Sequence, residues 1–338
     1  MPSNPTVVFT GSRKVEVQDR PIPEPGPGQL LVRTHCALIS TGTELSSLDG
    51  ERSCGGIWER YRKYPRTPGY DNIGTVLDVG EGVERDWVGK RVASYANHGA
   101  YVLAPRDRCW AVSRDVPDED AAFFTLAQIA LNGVRRSQLT FGEAAAVYGL
   151  GIIGHITAQL CWFAGARPVM GIDLSEQRVG LLPSKEGMQG VVAGAADVKE
   201  EVKSATGGRM ADVVFEVTGN PEVIPKEFEV LRFQGRCVIL ASPLAPTKQF
   251  DFHDLCNSPS FTIIGAHNGS HPPCATAGNP WTMERHAEMF FDLVADGELQ
   301  VSQLISHQEP VEKAPELYGM LVADRSQAMG VILTWPQD

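Results

Sequence analysis

Hydrophobic and polar positions change their spacing near residue 115, and this change separates two kinds of predicted element. Before it, short apolar runs are separated by Gly, Pro and polar residues, a pattern that is typical of β-strands. The runs lie at 7–9, 15–17, 29–35, 74–79, 90–93 and 100–104. Residues 6–110 are therefore predicted to be all β.

After residue 115 helix-length runs alternate with short, continuously apolar runs. The phrase VPDED at 116–120 opens a single predicted helix with Arg135 and Arg136 near its end, as the helix dipole favours. Apolar runs at 144–148, 168–172, 191–192, 212–217, 236–241 and 262–265 are typical of buried parallel strands. A further helix is predicted at about 282–295. A last strand at 330–335 is expected to join the β-rich first part.

The strand at 144–148 leads directly into a glycine motif. Gly149, Gly151 and Gly154 form G-x-G-x-x-G, and an apolar helix-length run follows to residue 163. Gly149 permits a tight turn, Gly151 lets the backbone approach a pyrophosphate, and Gly154 allows close packing of strand and helix. The order of strand, glycines, helix and strand predicts a Rossmann nucleotide-binding unit. A cofactor-free α/β core is the alternative.

Asp173 ends the second strand 19 residues after Gly154, close to the spacing of about 20 that a ribose-binding acid has in such units. Its carboxylate would bind both ribose hydroxyls and repel a 2′-phosphate, which predicts NAD rather than NADP. The diphosphate is expected on the N–H groups at the helix start. Further cofactor contacts are expected from Ile152 and Ile153 at that start, Arg178 near the adenine, and Thr218, Ala241 and Ala266 at strand ends.

Charge and composition narrow the function classes. The formal net charge of −11 argues against nucleic acid as a general partner. The apolar runs are too short to span a bilayer, and the N-terminus lacks a signal pattern, which favours a cytoplasmic protein without a membrane partner. The seven cysteines are scattered and never form C-x-x-C, which is typical of reduced thiols.

Several phrases resemble the medium-chain dehydrogenase/reductase superfamily over nearly the whole chain. They are STGTEL at 40–45, PGYDNIGTVLDVGEGV at 68–83, VGKRVA at 88–93, HGAYV at 98–102, YGLGIIG at 148–154, DVVFEVTG at 212–219 and GRCVIL at 235–240. The resemblance implies an α/β fold in which a Rossmann domain is inserted in a β-rich GroES-like catalytic domain. The catalytic domain would consist of 1–125 and 267–338, and the Rossmann domain of 126–266. The resemblance also implies a homodimer.

The zinc members of this superfamily bind a catalytic metal through a Cys, a His and a later Cys or Glu. The matching places in this chain are Ser40 or Thr41, Tyr70, and Phe124 or Thr125. Zinc prefers thiolate, imidazole or carboxylate ligands, and Cys36 lies four residues too early to replace the first. The four-cysteine structural lobe also has no counterpart. The resemblance is therefore to a zinc-free branch, most similar to bacteriochlorophyllide hydroxyethyl dehydrogenases and to sugar or polyol dehydrogenases; one misaligned ligand is the alternative.

Without zinc, hydride transfer needs another group to handle the alcohol proton. The resemblance brings four candidates to the pocket: Glu44, Tyr70, Asp71 and His98. Tyr70 would donate to the substrate oxygen, Glu44 and Asp71 would tune it or relay a proton, and His98 titrates near neutrality. For each of these four residues, a structural role as a hydrogen-bonded polar group is as good an explanation as a catalytic one. Ser40, Thr43, His267 and Asn268 are expected to line the substrate pocket, and His253, His271, His286 and His307 are expected at the surface or in loops without a role.

The resulting hypothesis is a zinc-independent, NAD-dependent oxidoreductase that oxidises a secondary alcohol of a sugar, a polyol or a hydroxyalkyl group. The alternatives are an NAD(P)H-dependent quinone or enoyl reductase, a redox-neutral enzyme that retains NAD, and a non-catalytic dinucleotide-binding protein. The basic insertion with Arg60, Arg62, Lys63 and Arg66 is either a solvated loop or a lip that attracts an anionic substrate.

Overall fold

The computed structural model describes residues 3–49, 63–243 and 245–337. Two compact units make up the chain. The first consists of Met1–Thr125, Ala287–Asp296 and Val301–Asp338, and the second of Leu126–His286 and Gly297–Gln300. Arg60, Arg62 and Cys54, which belong to the basic insertion, lie outside the described residues.

The strands are β1 (Pro5–Gly11), β2 (Lys14–Asp19), β3 (Gln29–Leu38), β4 (Asn72–Val79), β5 (Arg91–Ser94), β6 (Tyr101–Pro105), β7 (Cys109–Ala111), β8 (Ala145–Tyr148), β9 (Val169–Asp173), β10 (Met188–Val192), β11 (Ala211–Glu216), β12 (Leu231–Ile239), β13 (Thr262–Gly265), β14 (Ile305–Pro310) and β15 (Gly330–Thr334). The helices are α1 (Thr43–Asp49), α2 (Asp118–Ala121), α3 (Phe124–Arg136), α4 (Ile152–Phe163), α5 (Glu176–Gly180), α6 (Val198–Ala205), α7 (Ile224–Glu227), α8 (Met283–Ala295) and α9 (Ala314–Ala323).

The first unit contains a sheet in the order β14-β15-β3-β4-β5-β7, with β6 also paired to β3, and a separate β1-β2 hairpin. Along β3 buried and partly exposed residues alternate, which is the pattern of a strand with one face on a core. The C-terminal strand β15 pairs antiparallel with β3, so the end of the chain completes the sheet that its beginning starts. Phe9 and Tyr318 pack edge to face in its core, with ring centroids 5.1 Å apart.

The second unit contains a parallel sheet in the order β10-β9-β8-β11-β12-β13. The strand order reverses between β8 and β11, and such a switch point is where α/β sheets bind ligands, beyond the carboxyl ends of the strands. The glycine motif follows β8 at this point. The predicted α/β class with a Rossmann sheet is confirmed.

Two local predictions need correction. The run from residue 116 forms two helices, α2 and α3, and not one. The helical backbone is interrupted at Ala122 and Phe123. The Phe123 ring is fully buried against Gly330, so tertiary packing outweighs helix propensity there. His286, expected at the surface or in a loop, is a fully buried residue of α8. Among the described residues, no helix is both long and apolar enough to cross a membrane.

Candidate active site

The turn after β8 is closed by two glycines that no other residue can replace without strain. Gly149 has φ +91°, and a Cβ there would lie 2.9 Å from the Thr218 amide nitrogen. A Cβ on Gly154 would collide with the Gly149 carbonyl oxygen. The backbone therefore folds as the motif predicts because β8, α4 and the Thr218 loop approach one another closely.

Gly151 has a different environment from these two glycines. It is the N-cap of α4, has extended backbone geometry and offers no capping side chain. Apart from its chain neighbours, no heavy atom of the described residues lies within 4 Å of the place that its Cβ would take. The first N–H groups of α4, those of Ile152 and Ile153, therefore lie next to this open space, at the positive end of the helix dipole. This arrangement fits a diphosphate group.

Asp173 is held at the end of β9 with its side chain 10% exposed. Its Oδ2 accepts a hydrogen bond from the Leu150 amide (2.7 Å) and its Oδ1 accepts one from the Ser175 amide (2.8 Å). Arg178 comes within 3.9 Å of Oδ2. The carboxylate is therefore fixed between the glycine turn and α5, with a cation beside it.

His155, which sequence analysis did not single out, is fully buried in α4. Burial lowers the pKa of its imidazole to about 4, although the charge of Asp173 and a contact with the Arg178 backbone oppose this. His155 is therefore neutral at pH 7 and adds no positive charge to the cofactor side of the sheet.

A second buried acid, Glu216, organises the loop after β11. Its Oε1 accepts hydrogen bonds from the Thr218 hydroxyl (2.6 Å) and the Gly219 amide (2.8 Å), which holds the loop against Gly149. Glu227 is also fully buried, and neither of its carboxyl oxygens has a hydrogen-bond partner among the described residues. Burial, and then the charge of Glu216, raises the pKa of Glu227 to about 9.

The remaining predicted positions of the second unit lie at strand ends or just beyond them. The amides of Ala241 and Ala266 donate to the Glu216 and Ile239 carbonyl oxygens. Beyond β13, the Asn132 side chain donates to the His267 carbonyl (3.2 Å), which ties the loop containing Asn268 to α3. His267 is exposed and Asn268 is partly exposed.

In the first unit, three hydroxyl groups meet around Tyr70. The Tyr70 phenol donates to Ser40 Oγ and lies 3.3 Å from Thr43 Oγ1. Ser40 is buried, whereas Tyr70 and Thr43 are partly exposed. Desolvation and the charge of Asp71 raise the pKa of Tyr70 well above its usual value, against the hydroxyl contacts that lower it. The phenol is therefore protonated at neutral pH and acts as a hydrogen-bond donor.

Glu44 forms a buried layer behind this hydroxyl cluster. Its Oε1 accepts from the Ser40 amide (2.8 Å), and His98 Nε2 lies 3.1 Å from its Oε2. The Tyr318 hydroxyl, 274 residues further along the chain, also donates to Oε2. Burial and the neighbouring Glu44 raise the pKa of Tyr318 well above its usual value, so it remains a donor.

His98 and Asp71 are both fully buried. The His98 ring packs on Gly69, where a Cβ would come within 2.8 Å of the ring. Neither carboxyl oxygen of Asp71 accepts a hydrogen bond from the described residues. Burial raises the pKa of Asp71 well above its usual range, although nearby Thr125 lowers it in part. The structure thus joins Glu44 to His98, and it leaves both carboxyl oxygens of Asp71 without a donor among the described residues.

The third expected metal-ligand position offers no ligand. Phe124 is fully buried, and its ring centroid lies 5.7 Å from that of Trp110. Thr125 donates its hydroxyl to the Tyr70 carbonyl oxygen (3.2 Å). Over residues 3–49, 63–243 and 245–337, no group of three or more His, Cys, Asp or Glu side chains is arranged to hold a metal ion. Cys36 is buried in β3, and burial raises the pKa of its thiol.

Comparison with known proteins gives two family matches. Residues 26–148 match the alcohol dehydrogenase GroES-like domain, and residues 153–279 match the zinc-binding dehydrogenase family. Sorbitol dehydrogenase 2 of Saccharomyces cerevisiae is 25% identical over 99% of both chains. Erythritol/L-threitol dehydrogenase of Mycolicibacterium smegmatis is 24% identical over 90% of both chains.

A similar solved structure is that of a zinc-binding dehydrogenase from Sinorhizobium meliloti 1021 bound to NADP. It superposes with a TM-score of 0.84 at 22% identity and covers 99% of this chain and 100% of its own. At this identity the likeness establishes the fold. Together, the two family matches span residues 26–148 and 153–279, and the chain belongs to the medium-chain dehydrogenase/reductase superfamily of oxidoreductases.

Proposed function

We propose that this protein is a zinc-independent, NAD-dependent dehydrogenase that oxidises a secondary alcohol of a sugar or polyol. The observation that carries the proposal is the hydroxyl cluster of Tyr70, Ser40 and Thr43, in which Ser40 and Tyr70 stand at two of the positions that the resemblance assigns to metal ligands. Two relatives, named as sorbitol and erythritol dehydrogenases, support a polyol as the substrate class.

The donor groups at the expected metal position do not fit zinc. Ser40, Tyr70 and Thr125 provide hydroxyl groups, and these already bond to one another or to backbone carbonyls. Glu44, a carboxylate linked to Ser40 through its backbone amide, is engaged by three partners at once. Zinc prefers thiolate, imidazole or carboxylate, so no step of the proposed reaction passes through a metal.

The glycine turn and Asp173 fit a dinucleotide. The open space at Gly151 accommodates a diphosphate, and the fixed Asp173 carboxylate retains lone pairs for ribose hydroxyls. When bound, NAD supplies a nicotinamide ring that accepts a hydride from the substrate carbon. Arg178 forms an ion pair with Asp173, and this pairing supports NAD rather than NADP as the cofactor. The similar structure from Sinorhizobium meliloti 1021, in contrast, is bound to NADP.

Tyr70 is proposed to act on the alcohol proton. Because its phenol is protonated and donates to Ser40, it cannot serve as a simple base. Instead, the substrate hydroxyl passes its proton to the Tyr70 oxygen while Tyr70 passes its own proton to Ser40 Oγ and Ser40 releases its hydroxyl proton to water, so that the substrate proton leaves as a hydronium ion and both side chains end neutral. This hydroxyl relay keeps Tyr70 neutral at both ends of the reaction and removes the proton as the substrate carbon loses a hydride.

The direct test is a panel of polyols and sugars assayed by NADH absorbance, together with elemental analysis of the purified protein. We expect NADH formation with a secondary alcohol, less than stoichiometric zinc, and unchanged activity after treatment with a chelator. Stoichiometric zinc with loss of activity on chelation would contradict the proposal. Cofactor choice is tested separately with Asp173→Ala, which should weaken NAD binding by about 1–3 kcal/mol and narrow its advantage over NADP.

A further inference from the structure

Two arginines meet on one tryptophan in the second unit. The guanidinium carbon of Arg135, from α3, lies 2.9 Å from the ring centroid of Trp281, and that of Arg285, from α8, lies 3.7 Å from it. Arg285 is exposed, and among the described residues no carboxylate lies within ion-pair distance of it. Two like charges thus share one indole ring in a protein whose net charge is −11.

A chain of neutral groups orients Arg135. Its Nε–H donates to His286 Nε2 (3.2 Å), His286 Nδ1 lies 2.8 Å from His271 Nε2, and His271 Nδ1 lies 2.7 Å from the Asn268 carbonyl oxygen. A carbonyl oxygen only accepts, so His271 Nδ1 carries a proton and its Nε2 accepts from His286 Nδ1–H. Both imidazoles are therefore satisfied in their neutral forms.

The surroundings keep these imidazoles neutral and the arginine charges close together. Burial, His271 and the two arginines lower the pKa of His286 to about 3. Burial and the charge of Arg285 lower the pKa of Arg135 to about 10, so its guanidinium is still charged at pH 7. Holding two cations close together costs free energy through their repulsion, and a bound anion would offset that cost.

We propose that Arg285 and Arg135, held on Trp281, bind an oxyanion, a phosphate or carboxylate group. The planar fork of a guanidinium matches both of these groups with paired hydrogen bonds. The hydrogen-bond chain from Arg135 ends at Asn268, in the loop that follows β13. This connection favours an anionic group on the substrate over a free anion as the occupant. That choice rests on the proposed function.

The site itself is tested without turnover, by isothermal titration calorimetry of inorganic phosphate into the full-length protein. We expect saturable binding that Arg285→Met weakens at least about tenfold, because a charge-assisted hydrogen bond of about 1.5–3 kcal/mol is lost. Arg285→Lys should fall between the two, since it keeps the charge but not the fork. Arg209→Met, at an exposed arginine of the same unit, is the matched control and should bind as wild type does.

Phosphate binding that is absent in wild type, or unchanged in Arg285→Met, overturns the inference. The source of the anion follows from kinetics on a polyol and its phosphate ester. If the substrate bears the anion, Arg285→Met raises KM for the ester alone and inorganic phosphate competes with it. If the anion is a free effector, inorganic phosphate changes turnover of the free polyol in wild type but not in Arg285→Met. Phosphate binding that depends on Arg285 without NADH formation on any alcohol would refute the proposed function and leave this site standing.

Discussion

The glycine turn of the second unit and the hydroxyl cluster of the first are built in different ways, the turn from the backbone and the cluster from side chains. The turn itself is built from residues 149–154, with Asp173 close in sequence, and its geometry comes from missing side chains at Gly149 and Gly154. The cluster is built from side chains of distant segments, and Glu44 reaches Tyr318 across 274 positions. A backbone motif is therefore visible in the sequence, whereas a side-chain network is assembled only by the fold.

The two regions also treat buried acids differently. Glu44 is surrounded by donors from Ser40, His98 and Tyr318. Glu227 has no hydrogen-bond partner among the described residues, and its pKa is raised to about 9. A buried carboxylate with several donors is stable as an anion, and one without them is stable only as a neutral acid. The donors around Glu44 thus satisfy its carboxyl oxygens, whereas the surroundings of Glu227 disfavour its ionised form.

The largest expected effect separates the functions of two glycines in the turn. Gly151→Val places a branched side chain in space that is open in the protein, so we expect NAD affinity to collapse while the melting temperature is kept. Gly154→Ala collides with the Gly149 carbonyl oxygen, so we expect both NAD affinity and melting temperature to fall. Calorimetric titration with NAD and thermal unfolding measure the two effects. Unchanged NAD affinity in Gly151→Val would remove the cofactor role of this turn.

The next effect concerns the hydroxyl cluster. Tyr70→Phe keeps the ring and removes the proton that Tyr70 passes to Ser40. We expect kcat to fall by about 10²–10⁴-fold, the usual contribution of a positioned acid–base group, with NAD binding unchanged. Thr43→Val is the matched variant, since the Thr43 hydroxyl lies 3.3 Å from the phenol and outside the relay. Equal rate losses in both variants would mean that the cluster binds substrate without moving its proton.

The sequence predicted the backbone of these regions much better than their side-chain partners. The spacing of Gly149, Gly151, Gly154 and Asp173 is local, so a one-dimensional pattern carries it. Tyr318 lies in α9, an apolar helix without any chemical signature. The burial of His286 was missed because its neighbours Arg285 and Glu284 are exposed and polar. Contacts of this kind depend on how distant segments pack, and no short-range pattern records them.

A smaller effect tests how the Glu44 network contributes to stability. Tyr318→Phe removes one donor from a carboxylate that is only 2% exposed. We expect the free energy of unfolding to fall by about 1–3 kcal/mol, since a buried acceptor loses a charged hydrogen bond. Chemical denaturation at pH 7 measures this, with Tyr101→Phe as a control in the same unit. Equal stability of both variants would show that Ser40 and His98 alone satisfy Glu44.

The smallest expected effect is a gain of stability in the second unit. The pKa of Glu227 is about 9 in the folded protein, above the value of about 4.3 for an unfolded chain. Between these values the folded state binds more protons than the unfolded state, so stability falls as pH rises. Glu227→Gln removes this proton uptake and should raise the melting temperature at pH 8 by several degrees, and by less at pH 4.

Thermal unfolding of both proteins at pH 4, 6 and 8 checks the sign. The gain should increase with pH, because the unfolded-state carboxyl of wild type is protonated at the lowest pH and ionised at the highest. Glu229→Gln, two residues along the same segment, is an exposed control and should show no such trend. A gain that is equal at all three pH values would mean that Glu227 is ionised when folded. Its surroundings would then resemble those of Glu44, and the contrast between the two buried acids would not hold.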